Sequence, residues 1–93
     1  MSGRSIMDIY IDVLETIGNG IDVPVRITYE TNLTWEEGCN VFDALLGNEF
    51  IHEEKAKNSV RFYLTKKGRN VLSYYLKALE ERESLIQSNE SFS

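Results

Sequence analysis

Cysteine, histidine and proline each occur once or nearly so in these 93 residues: there is one Cys, one His and one Pro. Positive charge is also scarce, with ten Lys and Arg against fifteen Asp and Glu and a formal net charge of −5. Each shortage excludes something. A lone thiol, Cys39, cannot close a disulfide within its own chain, and Cys39 with His52 falls short of the ligand count of a zinc site. No metal and no cofactor are therefore expected. Long apolar runs are missing too. The segment after Met1-Ser2-Gly3-Arg4-Ser5 is broken by Asp8 and Asp12, so it has neither the apolar core of a signal peptide nor the length of a membrane span. An intracellular, cytoplasmic location is the expectation, and the sequons Asn32-Leu33-Thr34 and Asn89-Glu90-Ser91 then read as chance matches. No Ser/His/Asp or Cys/His set and no glycine-rich phosphate loop is present, so the chain is not expected to be an enzyme. Taken as an average, the acidic balance argues against nucleic acid as a partner, because affinity for DNA comes largely from cations that neutralise phosphates.

What is present is an ordinary globular composition, 42% hydrophobic and 27% charged. That composition and length predict one domain over residues 1–93 with a single core. Ile6, Ile9, Tyr10, Val13, Leu14 and Ile17 recur at helical spacing and predict a first helix over 5–17, with Ser5 and Asp8 at its start and Gly18-Asn19-Gly20 as its stop. Pro24 opens a short second helix over 24–31, ending near Asn32. Thr34-Trp35-Glu36-Glu37 is a capping box that starts a third helix over 34–47. Its apolar face carries Trp35, Gly38, Cys39, Phe42, Leu45 and Leu46, and its outer face Glu36, Glu37, Asn40, Asp43 and Ala44. Residues 50–64 read as a β-hairpin around a polar connection at Lys55-Ala56-Lys57-Asn58, with Val60, Phe62 and Leu64 inward and Arg61 and Tyr63 outward. Thr65 caps a last helix over 66–87, about 33 Å long. Its apolar positions Leu72, Tyr75, Leu76, Leu79 and Ile86 fall near a seven-residue repeat, more than one small core can cover, and predict an interface with a second copy of the chain.

Helix, short helix, capped helix, hairpin, long helix is the order of an α+β winged helix-turn-helix fold, with a three-helix core, a hairpin wing and a C-terminal dimerisation helix. The wording matches locally. Ile27-Thr28-Tyr29-Glu30-Thr31-Asn32-Leu33-Thr34 resembles the turn into the recognition helix of archaeal winged-helix proteins. Asn48-Glu49-Phe50-Ile51 stands where that family commonly has a glycine, a bulky apolar residue and Ile or Val. Phe62-Tyr63-Leu64-Thr65-Lys66-Lys67-Gly68 is similar to the aromatic-x-Leu-Thr-x-x-Gly signature of MarR-like regulators. The resemblance covers roughly residues 6 to 80, and its size and style are similar to small winged-helix proteins of crenarchaeal viruses. It implies a homodimeric regulator that binds double-stranded DNA, in the host cytoplasm if the chain is viral.

Counted by segment, the charge supports that implication. Residues 1–54 have a net charge of −9, residues 55–69 of +6 with no acid, and residues 70–93 of −2. The cations Lys55, Lys57, Arg61, Lys66 and Lys67, with Asn58 at the tip, suit phosphate contact or minor-groove insertion. The bland reading of the same cations is a sheet edge kept soluble. Arg26 is a supporting phosphate contact or an exposed helix residue. On the third helix Asn40 can read adenine, and Glu36 or Glu37 can accept from cytosine, with Thr34 at the cap. That face holds no Lys or Arg, however, and a solvated face or cap explains it equally. The alternative function is a protein-interaction module of the same fold that docks a partner through this acidic face. Trp35 is expected in the core rather than against DNA, Tyr63 either on backbone or packed across the strands, and His52 as a sheet residue. Cys39 is either a small buried hydrophobe or an interchain disulfide in a dimer.

Overall fold

The computed structural model describes residues 4–91, with side chains as far as Leu85, so the interface expected at the Ile86 side chain lies outside the described residues. Ser5 begins the first helix: its hydroxyl accepts from the Asp8 N–H at 3.0 Å, and α1 (Ile6–Gly18) follows. Pro24 opens α2 (Pro24–Glu30), where its missing N–H has no partner to lose. Asn32 then takes a left-handed φ of 60°, and the chain reverses into a reciprocal cap at Thr34. The Glu37 N–H donates to Thr34 Oγ1 at 3.1 Å, and the Thr34 N–H donates to the Glu37 carboxylate at 2.8 Å. These two bonds satisfy donors that the first turn of α3 (Trp35–Gly47) would otherwise leave unpaired.

Strands β1 (Ile51–Ala56) and β2 (Ser59–Leu64) form an antiparallel hairpin whose pairs run from Ile51 opposite Leu64 to Ala56 opposite Ser59. Pairing therefore continues through Lys55 and Ala56, and only Lys57-Asn58 is left as the connection. The register puts Ile51, Glu53 and Lys55 on one face with Val60, Phe62 and Leu64, and His52 and Glu54 on the other with Arg61 and Tyr63. Thr65 fastens the last helix to the hairpin root: its hydroxyl donates to the Glu49 carbonyl at 2.6 Å and accepts from the Gly68 N–H at 3.0 Å. Helix α4 (Lys66–Ser91) runs 26 residues, about 39 Å, four residues past the expected end.

The core lies around α1, which packs against the other three helices and β2. Val13, Leu14, Ile27, Leu45 and Ile51 are all at most 2% exposed. Because α1 is covered on several sides, Ile11 is buried although it stands off the expected stripe, whereas Ile6, at the uncovered end, is 61% exposed. On α3 the buried residues are Gly38, Val41, Phe42 and Leu45. The expectation of a core Trp35 is corrected: it sits in the first turn, beyond the part of α3 that its neighbours cover, and is 53% exposed with its ring edge-on to Phe42 at 6.5 Å. The expected interface stripe on α4 also divides. Leu72 and Tyr75 pack against the chain's own core, and the Tyr75 hydroxyl donates to the Asp8 carboxylate at 2.9 Å. Leu76 is half-buried, and every side chain from Leu79 to Leu85 is exposed. The radius of gyration, 15.4 Å against about 12 Å for a compact chain of this length, reflects the projection of that helix.

Candidate nucleic-acid interface

Glycine and a fixed threonine set the angle between α2 and α3. A Cβ at Gly38 would lie 2.2 Å from Thr28 Cγ2, and Thr28 is 6% exposed with its hydroxyl donating to the Val25 carbonyl at 2.8 Å. The close approach leaves the opposite face of α3 to solvent, with Glu36, Glu37, Asn40 and Asp43 exposed. Two residues of that candidate face are already engaged, since Thr34 and Glu37 form the cap. The Thr34 hydroxyl oxygen accepts in that cap, so its hydrogen remains available to an external acceptor.

The cations expected on the hairpin are not equivalent. Arg61 is held at mid-strand, donating to both Asp22 carboxylate oxygens at 3.2 Å, while the Phe62 N–H donates to the Asp22 carbonyl at 2.8 Å. It braces the hairpin against the loop before α2, so Arg61 reaches a phosphate only by releasing Asp22. Lys55 lies 3.8 Å from Glu53 and is 72% exposed, a solvated pairing that is easily exchanged. Lys57 and Asn58 form the exposed tip. At the head of α4, Lys66 is exposed, Lys67 places its ammonium 5.2 Å from the centre of the Phe50 ring, and Arg69 donates to the Leu64 carbonyl at 3.2 Å. Among the described residues neither Lys57 nor Lys66 pairs with a carboxylate. Arg26 is exposed on α2 at 3.7 Å from Glu30. The Tyr63 phenol, partly shielded from water and close to Asp22 and Glu54, is held above its ordinary pKa. Its ring lies 5.5 Å from that of His52, so both are cross-strand packing residues.

Several exposed groups were not singled out in the sequence. Val25 and Tyr29, one turn apart on α2, are 63% and 83% exposed. Their spacing of four was the available signal, an apolar pair on a helix too short to bury both faces. A second apolar surface lies where the start of α1 meets α4: Met7, Val71, Tyr74 and Tyr75 line a groove there, and Tyr74 is 80% exposed. Cys39 is half-buried in a different cleft, between α3 and the hairpin. Among the described residues no group of His, Cys, Asp and Glu is placed to hold a metal ion, and no helix is long and apolar enough to cross a membrane.

A helix crossing of this kind followed by a paired hairpin is found in known proteins. The chain is similar to the uncharacterized protein MJ0287 of Methanocaldococcus jannaschii, 33% identical over 70 residues that cover 75% of this chain and 68% of that one. The fold is similar to that of Sso10a-2, a DNA-binding protein from Sulfolobus solfataricus, with a TM-score of 0.75, 19% identity and coverage of 97% of this chain and 94% of that one. It is similar as well to FabT of Streptococcus pneumoniae, solved in complex with DNA, with a TM-score of 0.75, 20% identity and coverage of 91% of this chain and 61% of that one. Members of the MarR family share the same architecture. At such identities the structures establish a shared fold. Residues 3–83 match the winged helix-turn-helix family as a sequence, and it is to that family that the chain belongs.

Proposed function

We propose that the protein is a homodimeric, sequence-specific binder of double-stranded DNA that regulates transcription in the cytoplasm of an archaeal cell, its own or a host's. The observation that carries this reading is the clustering of cations in two consecutive elements of an otherwise acidic chain: Lys55 and Lys57 on the hairpin, and Lys66 and Lys67 at the head of α4. The DNA-binding character of Sso10a-2 and the DNA complex of FabT, which share this fold, support it. Helix α3 enters the major groove, and the hairpin tip, with Asn58, lies on flanking phosphates or in the minor groove. Asn40 reads adenine, Glu36 and the free oxygen of Glu37 accept from cytosine, and Thr34 donates its hydroxyl to a phosphate. Arg26 and Arg61 take part only by exchanging their carboxylate partners, Glu30 and Asp22, for phosphate.

The second subunit covers the open half of the α4 stripe, Leu76 and Leu79. A disulfide through Cys39 would need a separate surface, because that thiol lines the α3–hairpin cleft. A second reading, a protein-docking module, is favoured by one observation: the exposed face of α3 carries Glu36, Glu37 and Asp43 and no cation. Fluorescence anisotropy of a labelled duplex pool under salt titration separates the two. DNA binding predicts a steep loss of affinity with salt, and Lys57→Ala and Lys66→Ala should each reduce the log–log slope by about one, with a smaller change for Arg61→Ala. Absence of duplex binding at low salt overturns the DNA reading in favour of the docking module. Selection from random DNA should return a pseudo-palindrome.

A further inference from the structure

The cleft between α3 and the hairpin has no part in the reading above. It encloses about 250 Å³, just under the usual range of about 300–1,000 Å³ for small-molecule pockets, which suits a ligand of one ring and a head group. Its walls are aromatic. The Phe42 and Phe62 rings are 4.7 Å apart, and Trp35 meets Phe42 edge-on, leaving much of a large ring for something other than the chain's own core. Two carboxylates, Asp43 and Glu53, line the same cleft. Glu53 is the unusual one. The strand register sets it directly opposite Phe62, on the inward face where alternation calls for an apolar residue, and its side chain is only 35% exposed. Lys55, at 3.8 Å, is 72% exposed and stays largely hydrated, so it does not fill the space beside that acid.

We propose that this cleft binds a small organic cation, a single ring bearing a quaternary or protonated amine. The ring lies among Trp35, Phe42 and Phe62, and the ammonium group lies against the Trp35 face, within reach of Asp43 and Glu53. Cation–π attraction and the two carboxylates at the mouth of an aromatic cleft favour a cation over a neutral molecule of the same shape, and both oppose an anion. Occupancy is independent of DNA, so failure here leaves the DNA reading standing, and the converse also holds.

Trp35 is the chain's only tryptophan and reports the site directly. Titration with benzyltrimethylammonium, in the absence of DNA, should give a saturable change in tryptophan emission with a Kd on the order of 1 mM, as expected for so small a ligand. Its neutral, water-soluble near-isostere 2-methyl-1-phenyl-2-propanol should bind at least about ten-fold more weakly, and benzylsulfonate should not saturate. The double variant Asp43→Asn, Glu53→Gln should lose the preference for the cation while its Trp35 emission still responds to 2-methyl-1-phenyl-2-propanol. Equal affinity for the cation and its neutral analogue, a preference that survives in the double variant, or no saturable change up to roughly 20 mM probe each overturns the proposal.

Discussion

Gly68→Ala tests the joint on which the position of α4 depends. In an open helix this exchange stabilises by about 1 kcal/mol, because alanine loses less backbone freedom on folding. Here a Cβ would stand 1.9 Å from the Phe50 carbonyl oxygen and 2.9 Å from its carbon, a backbone group with no rotamer to yield. Phe50 is held on both sides, its carbonyl accepting from the Thr65 N–H at 3.1 Å and its N–H donating to the Leu45 carbonyl at 2.9 Å. Relief requires α4 to retreat by on the order of 1 Å, which stretches the two hydrogen bonds of the Thr65 hydroxyl, each worth about 1 kcal/mol. Overpacking of this kind costs about 1–3 kcal/mol. Set against the helix gain, the net loss is about 2–4 kcal/mol, or on the order of 10–30 °C in Tm for a domain this size. Thermal and urea unfolding followed by far-UV circular dichroism and Trp35 fluorescence, at matched protein concentration, measure it. Gly47→Ala is the control: nothing lies within 4 Å of a Cβ there, so stability should hold or rise by up to about 1 kcal/mol. A Gly68→Ala protein as stable as wild type would refute the reasoning.

Glu49 holds a φ of 61° just after α3, so Glu49→Gly should raise stability by about 0.5–1 kcal/mol in the same unfolding assay, and a loss would show that its side chain matters more than its backbone. The Asp8 carboxyl is held below its ordinary pKa chiefly by the hydrogen bond from Tyr75, so its contribution to stability is full above the unfolded value of about 3.9 and is lost as pH falls through the lower folded value. Tyr75→Phe should move the Asp8 NMR titration up toward the ordinary range and flatten this part of the acid loss, and an unchanged Asp8 midpoint would count against the bond. Sedimentation of wild type at micromolar concentration should report twice the chain mass, and Leu76→Glu with Leu79→Glu should halve it. A wild-type monomer refutes the proposed interface.

Features made within three or four residues were legible in the sequence. The Ser5–Asp8 bond, the Thr34–Glu37 box and the Thr65–Gly68 bond join neighbours along the chain, so their chemistry is local. The Thr-x-x-Gly element also has a cause that its wording does not disclose. Thr65 caps and ties, and Gly68 makes room for the Phe50 carbonyl from across the joint. Trp35 was misjudged because helical spacing shows which direction a residue faces but not how far along the helix the cover extends. The division of the α4 stripe has the same origin. A seven-residue repeat looks uniform in sequence, yet α1 is present to cover Leu72 and Tyr75 and absent beside Leu79.

The scarcity of positive charge and the clustering of six of the ten cations in residues 55–69 were determined by the sequence alone, as were the capped starts of the helices, because neither depends on what comes near in space. Which cations remain free was decided only by the tertiary structure. Arg61 and Asp22 are 39 positions apart, and only the folding of the hairpin onto the loop before α2 brings them to 3.2 Å. The same packing turned the acid at position 53 toward a cleft of aromatic rings. Charge is carried by the chain, but how strongly it acts depends on the partners and the water around it, and those are set by the fold.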